Sequence, residues 1–451
     1  MSFTEGLNIF LKRLKKNRNG NIKEIIQISW PISMGMLSFT VMDFSDALII
    51  GQLGAIELAS IGLSSSIVFF INSFFIGFFE SIKIAVSQKI GANQPCAAKQ
   101  IGRHGLLISI PVGMLIICLG FMALHLFKWI GGSMQIQEKS MAYFSLRIWA
   151  SPFWLITVVL SNYYQGIGNT YLPMKINIFM CVINVLLNQI LIFGFYSFPA
   201  YGIYGSAYAT IIANVFGMIF ILVCFIKDTK FEFKPHIRII KQIFKFGLPI
   251  GIRWLLDVGG WTFAIVLVAQ FGDKILAANQ IAIRIMSLSL LPIYGISEAA
   301  CILTAKYFGA GNLSAVQKTY WSAIKISLIL TTATGLMFIL LPIKLASLFQ
   351  RNDVILFKTK EILFLMSIYQ ITAAFSIVTA GALNGIGETR FITILNIIST
   401  WFIMVPGAYI LSVNCNLNAI GVWISLIIHE TVLVIGTRWK FKIENWKNFP
   451  I

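Results

Sequence analysis

The chain has 451 residues, of which 57% are hydrophobic and 12% are charged, and its formal net charge is +18. A soluble protein of this length carries about 25% charged residues, so the composition excludes the soluble globular classes and indicates a membrane protein. A large positive charge can also indicate nucleic-acid binding, but the basic residues cluster on no soluble segment, and we expect no nucleic-acid partner.

Twelve apolar runs, each long enough for a helix that crosses a bilayer, follow one another along the chain. They cover residues 28–50, 58–83, 104–127, 143–163, 174–196 and 203–226, and then 246–271, 277–304, 320–348, 361–383, 391–413 and 419–436. The basic N-terminal segment lacks a small-residue cleavage site, so we interpret it as retained. The sequence therefore predicts an all-α polytopic membrane protein with twelve transmembrane helices.

Charged connections divide the twelve runs into two sets of six. We predict a basic tail over 1–27, a first six-helix bundle over 28–226, a linker over 227–245, a second bundle over 246–436 and a tail over 437–451. Lys and Arg collect in both tails, in the linker and in alternate loops, so the positive-inside rule predicts that both termini are cytoplasmic. We expect the chain to lie in the inner (plasma) membrane.

The two halves repeat each other at a fixed offset of 218 residues. Pro31 corresponds to Pro249, Glu80 corresponds to Glu298, and the loop GANQPCAAKQ corresponds to the loop GAGNLSAVQK. Because six is an even number, both halves enter the membrane from the same side. The sequence thus predicts two parallel six-helix bundles related by a pseudo-twofold axis along the membrane normal.

The repeated polar loops give no sign of phosphate binding, because neither contains the Gly-Lys-Ser/Thr pattern of a P-loop. We expect their glycines to form tight turns, and the residues after them to run along the membrane surface, capped by Asn or Ser. The six cysteines form no CxxC or Cys/His cluster, so the sequence indicates neither a metal site nor a disulfide framework.

Several segments carry a resemblance to a known family. They are SWPISMGML followed by DALIIGQLGAIELAS, then GISEAACILTAKYFGAGN, YQGIGNT, INVLLNQILIFGF and FGLPIGIRWLLDV. Together with the duplication, they make the chain resemble the multidrug and toxic compound extrusion (MATE) family over nearly its whole length. The resemblance implies a secondary transporter, not an enzyme, that exchanges protons or sodium ions for organic cations or amphipathic compounds by alternating access. It implies no further cofactor, and we place the substrate between the repeats near the midplane.

Two other transport functions remain open. One is the export of one dedicated metabolite or siderophore, and the other is the flipping of lipid-linked molecules by a flippase of the same superfamily. Twelve spans argue against the flippase, because flippases usually carry extra helices. The major facilitators also have parallel halves, but their basic GxxxDRxGRR-type loop is absent. An intramembrane aspartyl protease is disfavoured, because the segment GIGE at 385–388 ends in Glu and lacks a Tyr-Asp partner.

Carboxylates inside apolar runs are costly and are therefore candidates for function. Asp46 resembles the family's helix 1 aspartate, which the resemblance implicates in cation or proton binding, and Asp43 lies on the same helical face. One of the two could instead only hydrogen-bond to neighbouring helices. Asn184 matches a family asparagine, whereas Asn188 stands where some members carry an aspartate, which argues against a proton site of that type.

The second half offers two further acids. Asp257 lies deep in the seventh run, and in some family members an acidic residue at this position is functional. Glu388 aligns with an acidic residue implicated near the end of helix 10, but it could equally be a loop charge paired with Arg390. Arg253 precedes Asp257 by one helical turn, and if it holds Asp257 permanently, Asp257 cannot carry a proton.

Glu80 and Glu298 occupy equivalent positions in the two halves, which suggests a shared role. They could form hydrogen bonds with the backbone of a broken helix, form salt bridges within the bundle or take part in transport. Lys83 lies three residues after Glu80 and can meet it on one helical face. Lys83 and Arg253, both inside apolar runs, leave an anionic substrate possible.

Pro31 and Pro249 near the starts of helices 1 and 7 could be gating hinges, or first-turn prolines that cause no kink. We expect the protein to act as a monomer. Its expected partners are an organic substrate, a coupling proton or sodium ion, and membrane lipid.

Overall fold

The computed structural model describes residues 21–128, 133–194, 199–229 and 236–442. Every regular element within these ranges is helical, and twelve segments are long and apolar enough to cross a membrane. We number them α1 (Ile22–Gly51), α2 (Ala55–Gly91), α3 (Pro95–Phe127), α4 (Met134–Gly166), α5 (Tyr171–Phe193), α6 (Ile203–Thr229), α7 (Ile237–Ala269), α8 (Asp273–Gly309), α9 (Leu313–Leu340), α10 (Asp353–Ile386), α11 (Thr389–Asn414) and α12 (Asn418–Lys442).

These helices coincide with the twelve predicted runs, and the predicted all-α polytopic fold is confirmed. Most of them extend past the apolar run, because polar and charged residues continue the helix beyond the part that suits a lipid environment. The tails before residue 21 and after residue 442, and linker residues 230–235, lie outside the described residues. The other linker residues are mostly helical, since α6 ends at Thr229 and α7 begins at Ile237.

After each of the repeated polar loops the chain enters the next long helix at once, since Pro95 begins α3 and Leu313 begins α9. The expected course along the membrane surface stays a prediction, whereas the expected Asn cap is confirmed at the second loop. Proline suits a first helical turn, where its missing N–H would have had no helical partner. At the second loop, the Asn312 side chain accepts a hydrogen bond from the Ala315 N–H at 3.0 Å and caps α9.

Pro31 and Pro249 both lie inside their helices, nine residues after Ile22 and twelve after Ile237. The first-turn alternative is therefore wrong. It arose because the apolar runs begin later than the helices themselves. A proline inside a helix removes one backbone hydrogen bond, so both positions are weak points of α1 and α7.

The described residues form two compact units. The first unit contains residues 34–90 and 94–251, and the second contains residues 252–442 together with 21–33 and 91–93. Helix α1 therefore begins in the second unit and continues in the first, with the change just after Ser33. Helix α7 begins in the first unit and continues in the second, with the change just after Gly251. Each change comes two residues after the proline of that helix.

Each unit has a packed interior. In the first unit, buried aromatic rings meet edge to face, as between Tyr163 and Phe225, whose ring centroids are 5.0 Å apart. In the second unit, small residues let α8 and α10 approach closely: a Cβ atom at Gly385 would lie 2.1 Å from the Thr304 hydroxyl oxygen. Such close approach of small residues is typical of helix packing in membranes.

Candidate functional site

Asp46 is half-buried on α1 in the first unit, and a chain of polar side chains holds it. The Asn188 side chain on α5 donates to Asp46 Oδ1 and, at 3.1 Å, to Asn184 Oδ1. Asn184 in turn donates to the Thr210 hydroxyl of α6 at 3.2 Å. The two asparagines are one helical turn apart, so both face the same neighbours. The Asp46 carboxylate is thus fixed against α5 and, through Asn184, against α6.

A positive charge lies close to this carboxylate. Arg147, half-buried on α4, interacts electrostatically with both Asp43 and Asp46. One turn earlier on α4, the buried Tyr143 places its hydroxyl beside the Arg147 guanidinium. None of the ion pairs found among the described residues joins Arg147 to either aspartate. We call Asp43, Asp46, Tyr143, Arg147 and Asn188 the first-unit cluster.

The second unit has a charged cluster of its own around Asp257, which is half-buried on α7. The Asn396 side chain of α11 lies beside the Asp257 carboxylate, and Arg253 lies one turn before Asp257 on the same helix. Within the described residues no ion pair joins Arg253 to Asp257, and the buried Arg253 Nε atom has no hydrogen-bond partner. The two groups are therefore close without direct contact.

A wide helical turn shapes this region of α11. The helix is π-helical over Ser399–Met404, and such turns change the direction of the helix face and are frequent at functional sites. Thr400 donates to Asn396 Oδ1 at 3.2 Å, which leaves the Asn396 amide hydrogens to face Asp257. The same turn packs against Gly260 of α7, where a Cβ atom would lie 2.5 Å from the Thr400 methyl group.

A second carboxylate completes the second-unit cluster. Glu430 of α12 is buried, and it accepts hydrogen bonds from the Ser376 hydroxyl and, at 3.3 Å, from the Tyr369 hydroxyl. It also interacts electrostatically with Asp257. The Tyr369 ring packs against Trp423 at 5.6 Å between centroids, which holds its hydroxyl in place. The second-unit cluster is thus Arg253, Asp257, Tyr369, Asn396 and Glu430.

Other predicted site residues lie elsewhere. Glu388 forms an ion pair with Lys440 of α12 at 3.0 Å, so the alternative that paired it with Arg390 is wrong. Glu80 is half-buried and Lys83 is buried on α2, and Glu298 is half-buried on α8. Among the described residues, no hydrogen bond or ion pair joins these three side chains to Asp46 or Asp257.

Sequence reasoning missed Arg147 and Glu430. Glu430 lies in the apolar run 419–436, so the criterion that selected Asp46 and Asp257, a carboxylate inside an apolar run, would also have selected Glu430. Arg147 lies near the beginning of the run 143–163, where a basic residue looks like part of a loop. Only the longer helix α4, which begins at Met134, places it well inside a span.

The chain is similar to known proteins over most of its length. The family model MatE matches residues 31–190 and again residues 249–410, which agrees with the predicted duplication. The probable multidrug resistance protein NorM of Pseudomonas putida is 23% identical over 439 residues, which are 93% of this chain and 95% of that protein.

Solved structures agree with this match. One is a MOP superfamily transporter from Pyrococcus furiosus, for which a binding pocket of reverse polarity is said to suggest a different function. It is 25% identical in sequence to this chain, with a TM-score of 0.88. The match covers 96% of this chain and 97% of that transporter's chain. A multidrug resistance MATE family transporter in an outward-facing conformation has the same identity, TM-score and coverage.

Proposed function

The chain belongs to the MATE family of transporters, and from this premise we propose that it exports organic compounds from the cell in exchange for a coupling cation. It is a multi-pass membrane transporter of small molecules and not an enzyme. The proposed substrates are compounds of several kinds with cationic or amphipathic character. The multidrug resistance names of its relatives support this proposal.

The observation that carries the proposal is the Asp46 carboxylate, half-buried in a membrane-spanning helix and held by Asn188. A carboxylate in this position is costly unless something compensates its charge. A proton, a sodium ion or the cationic group of a substrate can each do so, but they compete for the same oxygens. Such competition is sufficient for antiport, because binding of the coupling ion favours release of the substrate.

The second-unit cluster is the second proposed exchange site. Asp257 and Glu430 place two carboxylates near one guanidinium, so the cluster carries one negative charge when both acids are ionised. Each of the two Glu430 oxygens already accepts one hydroxyl hydrogen bond, from Tyr369 and from Ser376. Asp257 is therefore our candidate for the exchangeable group, with protons and sodium ions both allowed as the coupling ion.

We further propose alternating access, with Pro31 and Pro249 as hinges within α1 and α7. On the positive-inside rule we place both termini in the cytoplasm, and we propose the inner (plasma) membrane as the location. We propose that it acts as a monomer. A dedicated metabolite or siderophore exporter, or a lipid-linked flippase, is the alternative.

Dye efflux tests the proposal. Efflux-deficient cells loaded with a cationic dye are compared after expressing the wild type, Asp46→Asn or Asp257→Asn, with the proton gradient collapsed or sodium removed. Asp353→Asn is the matched control, because Asp353 is exposed at the start of α10 and outside both clusters. Efflux that needs one gradient and one of the two clustered carboxylates supports the antiporter and identifies its ion.

Two other outcomes would contradict the proposal. If well-expressed wild-type protein exports no dye, broad export of organic cations is excluded, and a dedicated substrate becomes the leading alternative. If both clustered variants export dye as well as Asp353→Asn does, coupling does not use these carboxylates.

A further inference from the structure

The Glu430 carboxylate stands at one end of a chain of side-chain contacts that joins α8, α10 and α12 of the second unit. From these contacts we infer that Asn279 and Trp423 are positioning residues for Glu430, which they hold through the ring and the hydroxyl of Tyr369. This inference rests on the proposed function and adds two residues to the machinery of the second exchange site. Neither residue is charged, so neither stands out in the sequence as a candidate.

The chain of contacts begins at a hydrogen bond between two buried side chains. Trp423 Nε1 on α12 donates to Asn279 Oδ1 on α8 at 2.9 Å, and only 1% of Trp423 and 2% of Asn279 are exposed. An indole has a single N–H group, so this bond uses its whole donor capacity. Because a buried donor without an acceptor is costly, the bond fixes the orientation of the Trp423 ring relative to α8.

Three aromatic rings then pack against one another. The Trp423 ring meets the Tyr369 ring at 5.6 Å between centroids and an angle of 82°, and it meets the Trp261 ring of α7 at 6.2 Å. Trp261 and Tyr369 are 6.4 Å apart at 87°, so each ring presents an edge to its neighbours, which is a favourable aromatic geometry. A phenol hydroxyl lies in the plane of its ring, so a fixed Tyr369 ring fixes where its O–H group can reach.

The Tyr369 hydroxyl reaches one oxygen of Glu430. It donates to Oε1 at 3.3 Å, while the Ser376 hydroxyl donates to Oε2. Ser376 also donates to the Ala373 carbonyl oxygen at 3.1 Å, so its hydroxyl has an acceptor on its own helix. The position of Glu430 Oε1 therefore depends on Tyr369, and through the packed rings on Trp423 and Asn279.

A bond that only joined α8 to α12 would not need polar side chains. Burying a donor and an acceptor removes both from water, and an apolar pair of the same volume can pack at nearly the same stability. What the polar pair adds is direction, because a hydrogen bond restrains the angle of the indole ring whereas an apolar contact lets it slide. The direction is useful at Tyr369, whose hydroxyl must meet one oxygen of a buried carboxylate.

Chemical modification of Glu430 tests the inference without any ion gradient. Dicyclohexylcarbodiimide reacts with carboxyl groups inside membranes, and mass spectrometry of the labelled full chain assigns the reaction to Glu430. We expect slow labelling in the wild type, because each carboxyl oxygen holds a hydroxyl partner. Asn279→Leu keeps a side chain of similar size but removes the acceptor for Trp423. Labelling of Glu430 should then be roughly threefold to tenfold faster, on the scale of one lost hydrogen bond.

Further variants assign this change to the chain of contacts. Trp423→Phe removes the donor of the same bond, should act in the same direction and replaces Asn279→Leu if that variant does not fold. Asn279→Asp keeps an acceptor oxygen and should label at the wild-type rate. Tyr369→Phe removes the hydroxyl but keeps the ring, and adding Asn279→Leu to it should give no further increase, because both changes act through one hydroxyl.

The matched control removes a buried hydroxyl elsewhere in the second unit. Tyr320 on α9 places its hydroxyl 3.3 Å from the Thr379 hydroxyl, and Tyr320→Phe should label Glu430 at the wild-type rate. The inference is overturned by a wild-type labelling rate in Asn279→Leu, or by an increase that adds in full to that of Tyr369→Phe. An equal increase in Tyr320→Phe would overturn it as well.

The proposed function is tested separately by ethidium transport in proteoliposomes at increasing concentrations of the driving proton or sodium ion. A change in the half-saturating ion concentration in Asn279→Leu, with the half-saturating ethidium concentration unchanged, supports positioning at an exchange site. Driven transport with both values unchanged contradicts that role and leaves export intact. Faster labelling of Glu430 without any driven transport supports the positioning of Glu430 and contradicts coupled export.

Discussion

Asn188 donates one amide hydrogen to Asp46 and the other to Asn184, and its own side-chain oxygen has no partner among the described residues. A side-chain amide has only two N–H groups, so its donor capacity is fully used. The remaining oxygen is an acceptor placed next to the Asp46 carboxylate. Asn188 therefore both orients Asp46 and offers a group that a protonated acid or a ligand donor can bind.

The first prediction concerns this orienting bond. Asn188→Leu removes both donors while keeping a side chain of similar size, so Asp46 loses its amide partner. Since such a bond contributes about 1–2 kcal/mol, we expect gradient-driven dye efflux to fall roughly tenfold. Asn72→Leu is the matched control, because Asn72 is also buried but its amide donates to Ser151 and not to Asp46. Equal losses of efflux in the two variants would mean that removing any buried side-chain amide impairs transport, and would contradict a specific role of the bond to Asp46.

The sequence predicted the acids of each cluster better than their partners. Asp46 and Asp257 are visible as carboxylates within apolar runs, because the cost of a charge in the membrane is a local property of the sequence. Arg147 and Glu430 reach those acids from other helices, α4 and α12, by tertiary packing. No spacing rule within a single helix predicts such a meeting, so the composition of each cluster required the structure.

The repeated glycines illustrate a different limit. Gly91 was expected to form a turn, but it ends α2, and a Cβ atom there would lie 1.8 Å from the Lys306 carbonyl oxygen. Glycine serves both for unusual backbone angles and for close approach, and the sequence does not distinguish these two uses. The prolines were placed too near the helix starts for a related reason, because apolar runs mark the membrane-spanning part and not the helix ends.

The second prediction concerns Gly91 itself. Gly91→Ala should destabilise the protein by about 3 kcal/mol or more, because the added methyl group meets backbone that cannot rotate away. Gly62→Ala on the same helix should leave stability unchanged or slightly higher, since nothing lies within 4 Å of its Cβ position. Apparent melting temperatures in detergent compare the two. A tolerated Gly91→Ala would contradict the close approach of Gly91 to the Lys306 carbonyl oxygen.

The third prediction separates the charge of Glu430 from its hydrogen bonds. Glu430→Gln keeps an acceptor oxygen for the Ser376 or Tyr369 hydroxyl, so we expect a folded protein whose transport is impaired. Glu430→Ala leaves the buried Tyr369 hydroxyl without that acceptor, which costs about 1–3 kcal/mol, whereas the Ser376 hydroxyl can still donate to the Ala373 carbonyl oxygen at 3.1 Å. Melting temperature and dye efflux are measured on the same preparations. If Glu430→Gln transports like the wild type, the second carboxylate is structural only.

The last prediction concerns the beginning of α1. Glu24 accepts from Lys306 Nζ at 2.9 Å and from the Tyr307 hydroxyl at 2.6 Å, and the ion pair is nearly buried, with side-chain exposures of 12% for Glu24 and 6% for Lys306. Removing one member of a buried pair leaves an uncompensated charge, so Glu24→Gln or Lys306→Gln alone should cost about 3–5 kcal/mol. At the 218-residue offset the other half carries an uncharged glutamine at both positions, Gln242 and Gln88.

The duplication therefore suggests the compensating variant. The double change Glu24→Gln with Lys306→Gln introduces the residue types that the other half carries at these positions and should recover most of the loss. Free energies of unfolding from denaturant titration of the two single variants and the double variant give the coupling energy. The exposed pair of Lys358 and Glu361, at 3.1 Å, is the control and should show a coupling of about 0–1 kcal/mol. If the buried pair couples no more strongly than this exposed pair, charge compensation does not hold the first turns of α1 to α8.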